Sequence, residues 1–297
     1  MLRRGMMILQ SVFQLIRPFQ WVKNLMVFVP LFFGGVFFDT LSVMKCLPLF
    51  VAFCMVSSGI YCLNDVVDLA YDRVHPKKCR RPVASGRLSR TQALVVMTVC
   101  FLMSALVCVV ARFSLLMILS LLVYVSMNVL YTFWLKRVAV MDVCIIALGF
   151  VIRVYCCHFA CGIYVSHWIV MMVFLAALFL AMSKRLSDVK LWEKDATLCR
   201  EVAHSYSPMF LSIAIYVVSS IMIVCYVMYS VDEVTVMRLG TSYLYVTSLF
   251  VLVGVLRYLM LVFSSRNEGN PIKLLFDKYI LLCLVLWGLF FIYIIYC

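Results

Sequence analysis

Residues 64–86, NDVVDLAYDRVHPKKCRRPVASG, set cation-binding side chains ahead of a run of bases. Asn64, Asp65, Asp68 and Asp72 come first, and Arg73, Lys77, Lys78, Arg80, Arg81 and Arg87 follow. Spacings of three and four predict Asp65, Asp68 and Asp72 along one face of a helix, within reach of a shared cation. Mg2+ favours one or two carboxylates with waters and substrate phosphates over an all-protein cage. The bases could hold the remaining phosphate charge, arginine in bidentate fashion. A solvated loop whose acids pair with its bases is the plainer alternative. Asp65 and Asp68 lie too near an apolar run to be fully solvated.

Two further constellations carry polar chemistry. Tyr131, Lys136 and Asp142 close one apolar run and open the next, where Asp142 could orient a ligand or cap the first helical turn. AMSKRLSD at 181–188 carries Lys184, Arg185 and Asp188, and Lys184 and Asp188, four apart, could simply pair. Arg153 stands inside an apolar run. Such an arginine is expensive in a membrane and faces a cavity or a carboxylate, so it is either a site residue or half of a structural ion pair.

The elements that position these residues follow from composition. Of 297 residues, 66% are hydrophobic and 13% charged, whereas soluble domains carry about 25% charged residues. The fold class is an all-α polytopic membrane protein. Apolar runs predict about nine transmembrane helices, at 21–38, 46–63, 93–111, 113–133, 138–161, 166–182, 208–231, 239–263 and 274–297. The third and fourth, separated by little more than Arg112, imply a tight hairpin. No linker divides residues 1–297, so one transmembrane domain is expected, with polar active-site loops at 64–91, 134–142 and 183–207. Residues 1–20 read as an interfacial amphipathic segment, because Gln10, Gln14 and Arg17 break the apolar stretch that a signal peptide needs.

The net charge of +13 is distributed unevenly. Bases gather in the N-terminal region and after the second, fourth, sixth and eighth runs, the last two groups including Lys190, Lys194, Arg200, Arg266, Lys273 and Lys278. The opposite connections hold only Lys45, Arg112 and Arg238. The bias predicts a cytoplasmic N-terminus, an outer C-terminus and a cavity open to the cytoplasm, built from the ends of the even runs. It also accounts for the positive charge without a nucleic-acid partner. The 14 cysteines mostly lie in apolar runs and form no CxxC pair. Cys156, Cys157 and Cys161 lack metal-ligand spacing to a second cluster, so all are read as small core residues.

The 64–86 stretch resembles the first aspartate-rich motif of the UbiA superfamily, intramembrane transferases with nine helices and a Mg2+–diphosphate site. Members commonly join a polyprenyl diphosphate to an aromatic acceptor, using a second carboxylate motif resembling A-M-x-D-R-x-D-D. Here Lys184 and Ser187 stand where aspartates would be, and Asp188 remains. That change is similar to the decaprenyl-phosphate phosphoribosyltransferase branch. RPFQWVKN at 17–24, YTFWLKRVAVMD at 131–142, GFVIRV after it and RYLMLVFSSRNEGNPIKLLFDK at 257–278 extend the resemblance along nearly the whole chain.

The resemblance implies a water-soluble donor, 5-phosphoribosyl diphosphate, and a lipid acceptor, polyprenyl phosphate, in the plasma membrane of a bacterium. The active site would lie on the cytoplasmic face. Asp65 and Asp68 would be the main Mg2+ carboxylates, with Asp72 a third ligand or a ribose contact. Asn64 would touch a ribose hydroxyl or a metal-bound water. Lys23, Lys77, Arg81, Lys136, Lys184 and Arg185 would contact phosphate, while Tyr131, Asp142 and Asp188 would serve the substrate. Three alternatives remain: a prenyltransferase acting on an aromatic acceptor, a transporter, and an inactive relative that binds lipid phosphate. Prenyl chain length and oligomeric state are not readable from the sequence.

Overall fold

In a bilayer every backbone polar group must be satisfied within its own segment, so long apolar runs fold as helices. The computed structural model describes residues 2–75, 77–192, 205–264 and 274–296, and every regular element among them is helical. The expectations placed on Lys194, Arg200, Arg266, Lys273 and residues 265–273 of the 257–278 motif lie outside the described residues, as do the side chains of Arg3 and Arg4.

The chain divides into two compact units. The first comprises Met1–Phe32, Val36–Val138 and Ile152–Ile163, and the second Phe33–Gly35, Ala139–Val151 and Tyr164–Cys297. Eight helices among the described residues are long and apolar enough to cross a membrane.

The first unit begins with α1, Leu2–Ile16, which buries Ser11 and Leu15 while exposing Met6, Leu9 and Phe13. The expected span at 21–38 is not one long helix. It is a 3-10 segment, Pro18–Phe28, followed by the short α2, Val29–Phe33. Arg17 enters this segment in the left-handed conformation at φ 52°, and Gly35 leaves it at φ 73°. Pro18 and Pro30 supply no N–H to a ladder, which helps to keep the stretch from propagating as one α-helix.

Helix α3, Thr40–Val67, is the buried axis of this unit. Asp39 caps it by accepting from the Leu41 and Ser42 amides. It runs beyond the expected 46–63, so Asn64 and Asp65 stand on its last turn. The short α4, Leu69–Val74, follows. Helix α5, Arg90–Val110, starts on a reciprocal Ser89–Gln92 capping box. It packs closely on α3: a Cβ on Gly59 would lie 3.0 Å from the Phe101 ring, and Ser104 donates to the Ala52 carbonyl. Small residues permit this approach where no hydrophobic drive separates helix from lipid.

The expected tight hairpin is present. Phe113 N–H reaches Cys108 O, Arg112 N–H reaches Val109 O, and Arg112 holds φ 52° between α5 and α6, Leu115–Phe133. These are the two bonds of a Schellman stop. Val95, Val99, Leu102, Leu106 and Val109 of α5 are exposed, a stripe suited to acyl chains.

Helix α7, Met141–Cys161, gives its first half to the second unit and its second half to the first. The second unit continues with α8, His167–Trp192, and α9, Pro208–Val231, which begins on a Ser207 cap with Pro208 in its first turn. Then come α10, Glu233–Leu239, α11, Ser248–Phe263, and α12, Lys278–Tyr296. Because α8 reaches Trp192, Lys184, Arg185 and Asp188 lie on a helix inside the stretch expected as a loop. Tyr229 is fully buried against Phe33 and donates to its carbonyl, and Trp287 donates to Tyr226 at 2.6 Å.

Candidate functional site

The aspartate motif lies wholly in the first unit. Its carboxylates are separated by the break between α3 and α4, because Asp68 ends one helix and precedes the other. Asp65 is 2% exposed and Asp72 1%. The Asp65 Oδ1 atom accepts from Arg17 and lies 3.4 Å from Arg81 Nη1, which also donates to Asp72 Oδ2 at 2.6 Å. One guanidinium nitrogen thus draws two carboxylates together. Asp68, partly exposed, takes Lys136 instead.

The acids do pair with bases, as the plainer alternative anticipated, but not in a solvated loop. Two of three partners, Arg17 and Lys136, come from outside residues 64–86, and Asp65 and Asp72 are buried. Pairing is also incomplete. The Oδ2 atom of Asp65 and the Oδ1 atom of Asp72 are buried without a hydrogen-bond partner among the described residues. A buried carboxylate oxygen left unsatisfied is costly. Two such hard donors, on carboxylates that share Arg81 Nη1, fit Mg2+, which needs few protein ligands.

Thr132 Oγ1 lies 2.7 Å from both Asn64 Oδ1 and the Asn128 carbonyl, two acceptors that share its one proton. Tyr131 is half-buried, whereas Lys23 and Lys77 are exposed. The Lys77 and Lys78 amides donate to His75 Nδ1, so His75 shapes the turn after α4.

Arg153 is 5% exposed and belongs to the same unit. Its Nε donates to Asn24 Oδ1 at 2.8 Å and its Nη2 to the Tyr124 hydroxyl at 2.7 Å, with Ser57 Oγ at 3.4 Å. The guanidinium also lies over the Tyr124 and Phe53 rings. These contacts hold it with neutral dipoles and aromatic faces.

The other two constellations meet in the second unit. Asp142 is fully buried, with Oδ2 accepting from Arg185 Nε and Oδ1 from the Tyr206 hydroxyl, both at 2.6 Å. The Tyr206 oxygen in turn accepts the Val140 amide, where the backbone turns at φ 70°. Arg185 reaches Asp188 with Nη1 at 2.8 Å. Asp142 is therefore an anchor that fixes Arg185 and Tyr206, and no cap bond is needed to explain it. Burial, and then the bond to Asp142, push the Tyr206 hydroxyl above the ordinary tyrosine range. Lys184 is exposed on α8.

Sequence reasoning did not single out Arg17, Thr132 or Tyr206 as site residues. Arg17 was visible only as a base beside Pro18 in RPFQWVKN. Tyr206 approaches Asp142 across 64 positions, a contact that no local spacing encodes.

Comparison with known proteins follows this geometry. Residues 26–295 match the model of the UbiA prenyltransferase family. The chain is 28% identical over 291 residues to a decaprenyl-phosphate phosphoribosyltransferase of Mycolicibacterium smegmatis, covering 94% of this chain and 91% of that one. It is 30% identical over 227 residues to a protein of the same name from Mycobacterium tuberculosis, covering 75% and 74%. Among solved structures, a UbiA homolog from Archaeoglobus fulgidus bound to GPP and Mg2+ superposes with a TM-score of 0.69 at 19% identity, over 97% of this chain and 100% of that one.

Proposed function

The chain belongs to the UbiA prenyltransferase family, and on that premise we propose that it transfers 5-phosphoribose from 5-phosphoribosyl diphosphate to a polyprenyl phosphate. The observation that carries this reading is the segment 181–188. Lys184 and Ser187 occupy positions where the family resemblance calls for aspartates, and Arg185 is clamped between Asp142 and Asp188. A second carboxylate clamp for a metal-bound diphosphate is thereby weakened, and one cation, Lys184, and one hydroxyl, Ser187, stand in its place beside Arg185. The names of the mycobacterial relatives support the same choice.

In this reaction an oxygen of the lipid phosphate attacks ribose C1. The bond from C1 to the diphosphate breaks, its electron pair leaves with pyrophosphate, and polyprenyl-phosphoryl 5-phosphoribose results. Positive charge develops on the ribose and negative charge on the leaving group, so fixed charges lower the barrier. Asp65 and Asp72 would hold Mg2+ through the oxygens left open beside Arg81, which moves weight from Asp68 to Asp72 relative to the sequence expectation. When bound, the ion neutralises the leaving diphosphate. Asp68 sets Lys136, and Lys136, Arg81, Lys77, Lys23, Lys184 and Arg185 bind phosphate oxygens. Asn64 and Tyr131 orient the ribose. No general base is required, because the acceptor phosphate is already ionised at neutral pH.

The charge bias supports a site on the cytoplasmic face of a bacterial plasma membrane, where a soluble sugar donor is at hand. The test offers purified protein labelled phosphoribosyl diphosphate, polyprenyl phosphate and Mg2+. Label should enter the lipid fraction in step with pyrophosphate release. Prenylation of a hydroxybenzoate without lipid labelling would establish the aromatic-acceptor reading instead.

A further inference from the structure

Three thiols converge in the first unit, away from the aspartate motif. Cys46 Sγ on α3 lies 3.1 Å from Cys161 Sγ and 3.4 Å from Cys157 Sγ on α7. It is the one group of three potential metal-ligating side chains among the described residues whose ligand atoms all lie within 4.8 Å of one another. Cys46 and Cys157 are fully buried, while Cys161 is half-buried and its Sγ also reaches the Ser42 carbonyl. The sequence reading found no partner cluster for Cys157 and Cys161, because the third thiol is 111 and 115 positions away.

Two chemistries suit this grouping, and charge decides between them. A soft metal ion on three thiolates would leave net negative charge among Leu49, Phe53 and Phe159, which is costly in apolar surroundings. A disulfide buries no charge at all. We propose that Cys46 and Cys161 form a disulfide joining the start of α3 to the end of α7, with Cys157 held beside it as a neighbouring free thiol. Cys46 and Asp65 lie near opposite ends of α3, about 28 Å apart by helical rise. The positive-charge bias that assigns Asp65 to the cytoplasm assigns the thiols to the outer face, where disulfides form and persist.

The half-buried Cys161 is the thiol that an oxidant can reach. Its thiolate attacks a small or protein disulfide, forming a mixed disulfide and expelling one thiol. Cys46 then attacks the Cys161 sulfur and expels the second. Two cysteine thiols are oxidised, one donor disulfide is reduced to two thiols, and the two protons pass to the products.

The test is a thiol count on the full chain, purified without reductant, exposed to oxidised glutathione, denatured and alkylated with N-ethylmaleimide. Twelve of the 14 cysteines should be alkylated, rising to all 14 after reduction. Peptide mass spectrometry should recover a link between Cys46 and Cys161. In Cys161→Ala every remaining cysteine should be alkylated without reduction, and in Cys46→Ala no link between two cysteines of the chain should form, with Cys161 either alkylated or carrying one unresolved glutathione. Fourteen alkylated cysteines before reduction would overturn the proposal, and so would a link from Cys46 to Cys157. Three thiols protected in the native protein, released by a chelator and unlinked after denaturation would overturn it in favour of a metal. None of these outcomes depends on catalytic activity, so failure here is separable from failure of the proposed transfer.

Discussion

The first unit and the second each bury an aspartate against an arginine, yet the two carboxylates are left in different states. Asp142 has both oxygens occupied, by Arg185 and Tyr206. Asp65 and Asp72 each keep one buried oxygen without a hydrogen-bond partner among the described residues. A filled carboxylate is a strut, because further ligands would have to displace its bonds. A half-filled one is a socket. The sequence already set Asp142 apart from Asp65 and Asp72, and burial with partner assignment supplies the physical difference.

The largest effect should come from closing the socket. Asp65→Asn and Asp72→Asn each remove a charge aimed at the ion, and kcat/KM for transfer should fall by about 10²–10³-fold, with Mg2+ titration showing weakened dependence. Asp68→Asn should lower kcat/KM by less, about tenfold, in a protein that stays folded, because Asp68 acts by setting Lys136. Full activity in that variant would confine the metal carboxylates to Asp65 and Asp72.

The strut should break differently. Asp142→Ala leaves Arg185 with Asp188 alone and the Tyr206 hydroxyl without its acceptor, and should cost on the order of 1–3 kcal/mol of stability, read as a lowered unfolding midpoint in detergent. Asp142→Asn should recover part of that loss. If either variant instead weakened Mg2+ dependence at unchanged stability, the contrast between strut and socket would fail.

A smaller change is expected at Lys184, which is exposed and is proposed to bind donor phosphate. Lys184→Asp should raise the KM for phosphoribosyl diphosphate about tenfold, equivalent to about 1.4 kcal/mol of binding, without shifting the unfolding midpoint.

An effect on stability alone is expected at Tyr206. Tyr206→Phe leaves Asp142 one donor short and the Val140 amide unpaired, for a loss of about 1–3 kcal/mol. The raised pKa of Tyr206 fixes the sign of its pH dependence. Its stabilisation is complete below the ordinary tyrosine value near 10 and declines as pH rises above it. The phenylalanine variant should lack that part of the alkaline loss, as measured by unfolding midpoints from pH 8 to 11.

What the sequence made legible was whatever composition and short spacing encode. The apolar runs anticipated the eight long helices, and Arg112 anticipated the hairpin between α5 and α6. The NDxxDxxxD stretch and AMSKRLSD pointed to the family. The failures share a cause. The segment 21–38 is apolar enough to span, but Pro18, Pro30 and the left-handed Arg17 and Gly35 break its ladder. Apolar content extended α8 only to 182, whereas the helix carries its charges on to Trp192. The partners Arg17 for Asp65, Tyr206 for Asp142 and Cys46 for Cys161 are tertiary contacts across 48, 64 and 115 positions.

Arg153 also has a bearing on how the protein is made. An arginine midway along a helix opposes insertion by about 2.5–3.5 kcal/mol when that helix enters the bilayer alone. Its bonded side chains Asn24, Ser57 and Tyr124 all precede it in the chain. During synthesis they emerge from the ribosome first, so a polar berth can stand ready when α7 arrives. The order of the sequence is then also an order of assembly, in which the early segments act as a receptor for a helix that would enter lipid poorly alone.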